Sequence, residues 1–247
     1  MTKTETFAAL HQPGNPLILY NIWDAGSAAA VAAAGAKAIA TGSWGVACSL
    51  GFKDGETLPI DLALGNLERI LSVTDLPVTI DMEAGYGADA RAVGASVARA
   101  VAAGAAGINL EDKEPATRQL FPTADASARI AAAAASGVFV NARADLFILT
   151  PPAEHDANVA DAVLERARAY ADAGAGGLFV PFVKDEALIG RLCEGAPLPV
   201  NILTGPGFPA NARLAELGVA RISYGHGPWA AAMDWLKQQA VAVYGDA

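Results

Sequence analysis

Asp81 and Glu83 stand two residues apart at the end of the apolar run 76–80. On an extended strand residues at that spacing point to one side, so both carboxylates could face one cation. A second acidic pair, Glu111 and Asp112, closes the apolar run 106–110, and a third run, 138–142, ends in Arg143 and Asp145. Strand ends set side by side make a cup. Three acids in one cup suggest a divalent ion held by Asp81, Glu83 and Glu111, with Glu111 acting through water if the ion is Mg2+. Without such a charge, adjacent acids raise each other's pKa. The competing reading of Asp81 and Glu83 is a pair of solvated loop acids. Arg143 has the planar fork that grips a substrate carboxylate. A salt bridge to Asp145 or Glu111 is its alternative.

Other strand-end positions are less specific. Thr41-Gly42-Ser43-Trp44-Gly45 leaves backbone N–H groups able to face an anion. The same residues suit a tight turn with Trp44 as core cover. The segment 49–56 reads as a polar loop turning at Asp54-Gly55. Asp24 either lines the cup or caps the following helix. His226 also falls at a strand end, and His155 lies in a Pro-rich loop, but a lone histidine is more often structural. Glycines at 205, 207, 225 and 227, without a basic residue, are weak ground for a phosphate site. No Ser–His–Asp or Cys–His set can be placed. Cys48 and Cys193 fit neither a disulfide framework nor a zinc motif.

These residues need a scaffold that brings strand ends together. Apolar runs at 17–22, 36–41, 78–81, 107–110, 138–142, 177–181, 200–203 and 221–224 alternate with Ala-rich helical stretches. The helices are expected near 27–34, 61–73, 89–103, 125–135, 158–173, 185–194, 209–217 and 228–243. Several open on Asp, Asn or Pro (Asp89, Asp125, Asn158, Asp185, Pro228), and several end in glycine before the next strand. Eight strand–helix units predict an α/β fold, a single (β/α)8 TIM barrel spanning 1–247, with its active site at the C-terminal strand ends. The rival, a doubly wound open sheet, lacks a Gly-x-Gly-x-x-Gly after the first strand.

The chain has 247 residues, 53% hydrophobic and 17% charged, and a net charge of −9. That balance supports a large core and argues against nucleic-acid partners, which need a basic surface. It does not argue against a small anion bound by a local arginine. No apolar run reaches membrane-spanning length. The N-terminal residues carry no apolar signal core, and a cytoplasmic location is expected. The last helix carries Trp229, Met233, Leu236 and Val243, more apolar surface than a peripheral barrel helix must bury. A homo-oligomer, dimer or tetramer, is therefore expected, with packing of this helix on its own barrel as the alternative.

The phrases Asn21-Ile-Trp-Asp-Ala-Gly-Ser, Thr41-Gly-Ser-Trp-Gly-Val-Ala-Cys-Ser-Leu-Gly-Phe-Lys-Asp-Gly-Glu, Asp81-Met-Glu-Ala-Gly-Tyr-Gly, Gly107-Ile-Asn-Leu-Glu-Asp and Asn141-Ala-Arg-Ala-Asp come in a fixed order. Together they resemble the isocitrate lyase/phosphoenolpyruvate mutase superfamily. The resemblance implies a (β/α)8 barrel using Mg2+ or Mn2+ to make or break C–C or P–C bonds beside an α-oxo acid, through an enolate. It implies Asp81 as direct metal ligand, Glu83 and Glu111 as holders of its waters, and Arg143 as carboxylate clamp. Ser43 and Trp44 would be backbone donors, and Asp54 the loop aspartate of the mutase, hydrolase and decarboxylase branches. It also implies a last helix swapped between subunits.

The segment 113–122 lacks the Cys and His of the isocitrate lyase loop and the Lys-Thr-Asn of the mutases. Pro181-Phe182 stands where mutases carry a histidine. The expected activity is thus a Mg2+-dependent lyase or decarboxylase acting on a small α-oxo or 2-hydroxy dicarboxylate. Asp54 and Glu111 are its candidate bases. Phosphonopyruvate or phosphoenolpyruvate mutase or hydrolase chemistry is the alternative, and a non-catalytic oxo-acid-binding barrel is a further one.

Overall fold

A computed structural model describes residues 1–245. Eight parallel strands form one sheet: β1 (Leu17–Leu19), β2 (Ile39–Ala40), β3 (Val78–Asp81), β4 (Gly107–Glu111), β5 (Phe139–Arg143), β6 (Gly177–Val180), β7 (Val200–Leu203) and β8 (Arg221–Ser223). The hydrogen-bonded order is β1-β8-β7-β6-β5-β4-β3-β2. The remaining seam, β1 against β2, closes through a single parallel bridge between Ile22 and Thr41. Asn21 stitches it: Nδ2 donates to Thr41 O (3.0 Å), while Oδ1 accepts from the backbone N of Tyr224 and Gly225 (2.9 Å each). The expected (β/α)8 barrel is therefore present. Its strands are shorter than the apolar runs, because β1 and β2 pair over only two or three residues.

Helices α2 (Ala25–Ala33), α4 (Ile60–Leu71), α5 (Ala90–Ala102), α6 (Thr123–Ala134), α8 (Ala157–Asp172), α9 (Glu186–Gly195) and α10 (Asn211–Glu216) follow the expected rhythm. Asp24 caps α2, accepting from Ser27 N (2.7 Å) and Ser27 Oγ (2.7 Å), so its capping role holds rather than a place in the cup. Asp89 and Asp185 cap α5 and α9 as expected. Asp156, not Asn158, caps α8. Gly104 follows α5 at φ +106, where an added Cβ would also stand 2.9 Å from Leu71 Cδ1.

Three helices were not foreseen. Helix α1 (Lys3–Ala9) begins in a capping box in which Thr2 and Glu5 satisfy each other's backbone N–H. Its Phe7 is fully buried with Leu17, Leu19, Ala106 and Phe139. A Cβ on Gly107 would lie 2.6 Å from Phe7 Cε1, so glycine leaves the room this ring occupies. Helix α3 (Ser43–Ser49) replaces the expected turn after β2. Its Gly45 lets Trp23 and Trp229 approach to 3.3 and 3.2 Å of where a Cβ would be, while Val46 and Ala47 pack on Leu58 and Ala63. Helix α7 (Leu146–Leu149) buries Phe147 just after β5.

The 19-residue α11 (Gly227–Gly245) behaves differently. Only its Pro228 is buried; Trp235, Leu236, Val241, Val243 and Tyr244 are all more than half exposed. Ile18 and Tyr20 are about half exposed, beside an outer groove of 550 Å3 that Leu10, Val31 and Ala34 also line. Among the described residues no helix is long and apolar enough to cross a membrane.

Candidate active site

Asp81 ends β3. Its backbone N donates to Thr41 Oγ1 (2.9 Å), which ties the tip of β3 to the end of β2. Among the described residues its carboxylate receives only two long contacts, Glu83 N to Oδ1 (3.3 Å) and Ser43 N to Oδ2 (3.4 Å). Burial pushes its pKa up; Arg143 opposes that shift and Asp54 adds to it.

Glu83 stands in the left-handed region at φ +48, followed by Gly85 at +105 and Tyr86 at +51. Such backbone costs about 1 kcal/mol at a non-glycine residue and persists only where neighbours enforce it. Here they do. Glu83 O accepts from Glu111 N (2.7 Å), and Arg129 on α6 donates to the carbonyls of Gly87 (2.9 Å) and Ala88 (2.8 Å). A Cβ on Gly85 would stand 2.7 Å from Val93 Cγ1, so the turn runs hard against α5. The Glu83 side chain reaches the Asp54 loop: Oε2 accepts from Gly55 N (2.8 Å) and Glu56 N (2.7 Å), and Oε1 from the Tyr86 hydroxyl (3.2 Å). Burial, then Asp81 and Asp54, raises its pKa to about 8.

Glu111 and Arg143 end neighbouring strands and are paired in the β4–β5 register. They form an ion pair. Arg143 also grips Asp145, through Nε to Oδ1 (2.5 Å) and Nη2 to Oδ2 (3.0 Å). Lys113 bridges Glu111 (3.1 Å) and Asp145. Asp145 itself is fully buried and oriented by Asp112, whose Oδ1 accepts from its N (2.9 Å). Asp112 is in turn held by Tyr170 (2.6 Å) and Arg166 (3.1 Å) on α8. The salt-bridge reading of Arg143 is therefore met with both partners at once. Of its five N–H donors, one on each of Nη1 and Nη2 has no partner among the described residues. Burial raises the Glu111 pKa to about 7 against the pull of Arg143. Lys113 stays above its ordinary value because Glu111 and Asp145 outweigh its burial.

A cavity of 270 Å3 opens at these strand ends. Ser43, Trp44, Asp54, Asp81 and Arg143 line it together. Glu83 and Glu111 face an adjoining cavity that shares Asp54, Trp44 and Arg143. Sequence reasoning passed over Asn109, Arg118 and Phe179, which also line the first cavity. Asn109 sits mid-strand among apolar neighbours, and only the period-2 pattern of β4 could have pointed it inward. Arg118 enters from the short loop after Glu111. That loop is folded on itself by Glu114 N to Gln119 O (2.9 Å) and Arg118 N to Glu114 O (2.9 Å). His226 reaches the cavity rim, 5.4 Å from the Trp44 ring. His155 does not reach the cavity; it bonds the carbonyls of Phe147 (2.9 Å) and Thr150 (3.0 Å).

Among the described residues, no three His, Cys, Asp or Glu side chains stand together as a ready metal cage. The donor set nonetheless suits Mg2+, which keeps several waters and takes one or two carboxylates directly. Asp81 has lone pairs to spare. Glu83 and Glu111 have their oxygens engaged, and burial raises the pKa of all three acids, which a bound cation would offset.

The family model for phosphoenolpyruvate phosphomutase matches residues 7–244. The chain belongs to the phosphoenolpyruvate mutase family. It is thus an enzyme, as the strand-end residues led one to expect. A candidate phosphonomutase from Burkholderia cenocepacia J2315 superposes with a TM-score of 0.94 at 49% identity, covering 98% of each chain. The oxaloacetate decarboxylase of Pseudomonas aeruginosa PAO1 is 33% identical over 72% of this chain and 64% of its own. The fold is shared with a phosphonopyruvate hydrolase solved with oxalate and Mg2+, at a TM-score of 0.87 and 24% identity, covering 100% of this chain and 88% of that one.

Proposed function

We propose that this enzyme is a Mg2+-dependent lyase that removes CO2 from, or cleaves a C–C bond in, a small α-oxo or 2-hydroxy dicarboxylate. One observation carries the reading. Asp81, a buried carboxylate held by two long hydrogen bonds, lines the same small cavity as Arg143, which has N–H groups to spare. Such a cavity has room for a four- or five-carbon acid and offers it charges of both signs. Asp81 would hold the ion directly, with Glu83 and Glu111 holding its waters. Bound Mg2+ would supply Lewis-acid stabilisation of negative charge on the oxo oxygen.

The protein's own groups do the rest. Arg143 holds the substrate carboxylate with its two free N–H donors, already oriented by Asp145 and Glu111. The backbone N of Ser43 and Trp44, at the start of α3, face the oxo-acid end. For decarboxylation the C–C bond to the departing carboxylate breaks, its electron pair passes into the enolate, and the carbon then takes up a proton. An aldol-type cleavage needs a base to take the hydroxyl proton, for which Asp54 or Glu111 serve. The test is oxaloacetate decarboxylation with and without EDTA. A chelator-sensitive rate above background is expected, and no such rate counts against the reading.

A second reading, P–C chemistry on phosphonopyruvate with Asp54 as nucleophile or water-activating acid, is favoured by Asp54 lining the cavity beside Asp81. The 49% identity to a candidate phosphonomutase also supports it. An Asp54→Asn variant inactive toward phosphonopyruvate but active on oxaloacetate would support both chemistries at once, whereas a wild-type protein that turns over only one substrate separates the two readings.

We also propose that the enzyme is a homo-oligomer in which α11 seats on a second copy. The exposed apolar residues of α11 and the uncovered outer face of β1 support this.

A further inference from the structure

Inside the barrel lies a cation with no ion-pair partner among the described residues. Arg221 on β8 is fully buried, and among the described residues it enters no ion pair. Its Nη2 crosses the barrel to donate to Asn109 Oδ1 on β4 (3.1 Å), while Nε and Nη1 find no partner among the described residues. Burial lowers its pKa to about 9, with Asp81 pulling the other way, so it remains charged at neutral pH. A buried, unpaired guanidinium is costly, and so asks for a reason.

The geometry supplies one. Asn109 Oδ1 accepts from Arg221 and also from Asn141 Nδ2 (2.9 Å). A guanidinium can only donate, so the Asn109 atom facing it must be the oxygen. That settles the usual ambiguity of an amide's two ends and sends Nδ2 the other way. The other way is the candidate cavity, which Asn109 lines, and Asn109 is the register partner of Asp81. Nδ2 makes no hydrogen bond to a described residue, yet it is not among the buried unpartnered atoms, so it opens to the cavity.

We propose that Asn109 is a substrate-binding residue that presents two N–H donors to an anionic oxygen of the ligand, and that Arg221 is the positioning residue that locks the amide in that orientation. The assignment rests on the oxo-acid reading above and sharpens it, because a fixed donor pair selects a ligand oxygen and rejects an ammonium or N–H group. Charge on Arg221 also polarises the amide, which strengthens its N–H groups as donors.

The probe is oxalate, titrated by calorimetry in the presence of Mg2+. Asn109→Asp keeps an acceptor for Arg221 but turns an oxygen to the cavity, and we expect oxalate affinity to fall at least tenfold without loss of thermal stability. Arg221→Met frees the amide to rotate and should weaken oxalate comparably, with Arg221→Lys restoring part of the loss. Unchanged affinity in Asn109→Asp overturns the proposal, and that variant and Arg221→Lys decide it even if Arg221→Met does not fold. If the wild-type protein binds no oxalate, the oxo-acid reading falls first. The Asn109 side-chain amide, assigned in 15N spectra by its absence in Asn109→Asp, then decides the orientation. Fast exchange with water supports it, and protection greater than that of the Asn141 amide overturns it.

Discussion

Asp145 shows how much one buried side chain can organise. It is fully buried, yet it fixes two cations of the candidate site, Arg143 and Lys113, and is itself aimed by Asp112. Removing one partner of a buried ion pair leaves the other charge stranded, at a cost of about 3–5 kcal/mol. Asp145→Ala should therefore lower unfolding stability by that order, measured in urea, and impair carboxylate binding as well. Asp81→Asn tests the opposite case. Asp81 has few partners to strand, so stability should be nearly kept or raised, while Mg2+-dependent turnover falls by roughly two to three orders of magnitude. A variant that keeps full turnover would remove Asp81 from the proposed metal site.

At the scale of elements, α1 closes the end of the barrel opposite the cavity. His11, just beyond its C-terminus, bonds Phe7 O through Nδ1 (2.9 Å) and stacks on Phe139 at 4.4 Å. Burial and then the nearby Arg221 lower its pKa from 6.5 to about 3. The folded protein thus binds fewer protons than the unfolded chain between those values. The stability His11 contributes is present above pH 6.5 and is lost as pH falls toward 3. The wild-type urea midpoint should therefore fall relative to that of His11→Gln as pH drops through that window, which separates His11 from the buried acids Glu83 and Glu111, whose raised pKa values act in the opposite sense. The strand–helix rhythm was legible because buried parallel strands read as apolar runs and Ala-rich helices carry their own caps and stops. The site acids and Arg143 were legible because they end such runs. Helix α1 escaped notice although its Thr2-x-x-Glu5 box was in plain view, and α3 because glycines chosen for close approach to tryptophans look like turn residues. Arg143 need not choose between a substrate and salt bridges, because its five donors allow room for both. Asn109 and Arg221 were hidden because their meaning lies in a contact across the barrel, 112 residues apart in sequence.

For the whole molecule, α11 is the part that the barrel does not explain. Its apolar residues face outward beside an enzyme whose β1 lacks a cover. Light scattering should show a dimer or tetramer, and Trp235→Glu with Leu236→Glu should shift it toward monomer; a monomeric wild-type protein would remove the proposed association. The seam between β1 and β2 has a different consequence. Where β4 and β5 share five paired positions, the seam has one bridge and the Asn21 stitches. It is the place where the closed cylinder is cheapest to unzip, and Asn21 also lines the cavity. A ligand filling that cavity would act as a clasp on the unzipping, slowing deuterium uptake at Ile22 and Gly42 while leaving the β4–β5 amides untouched.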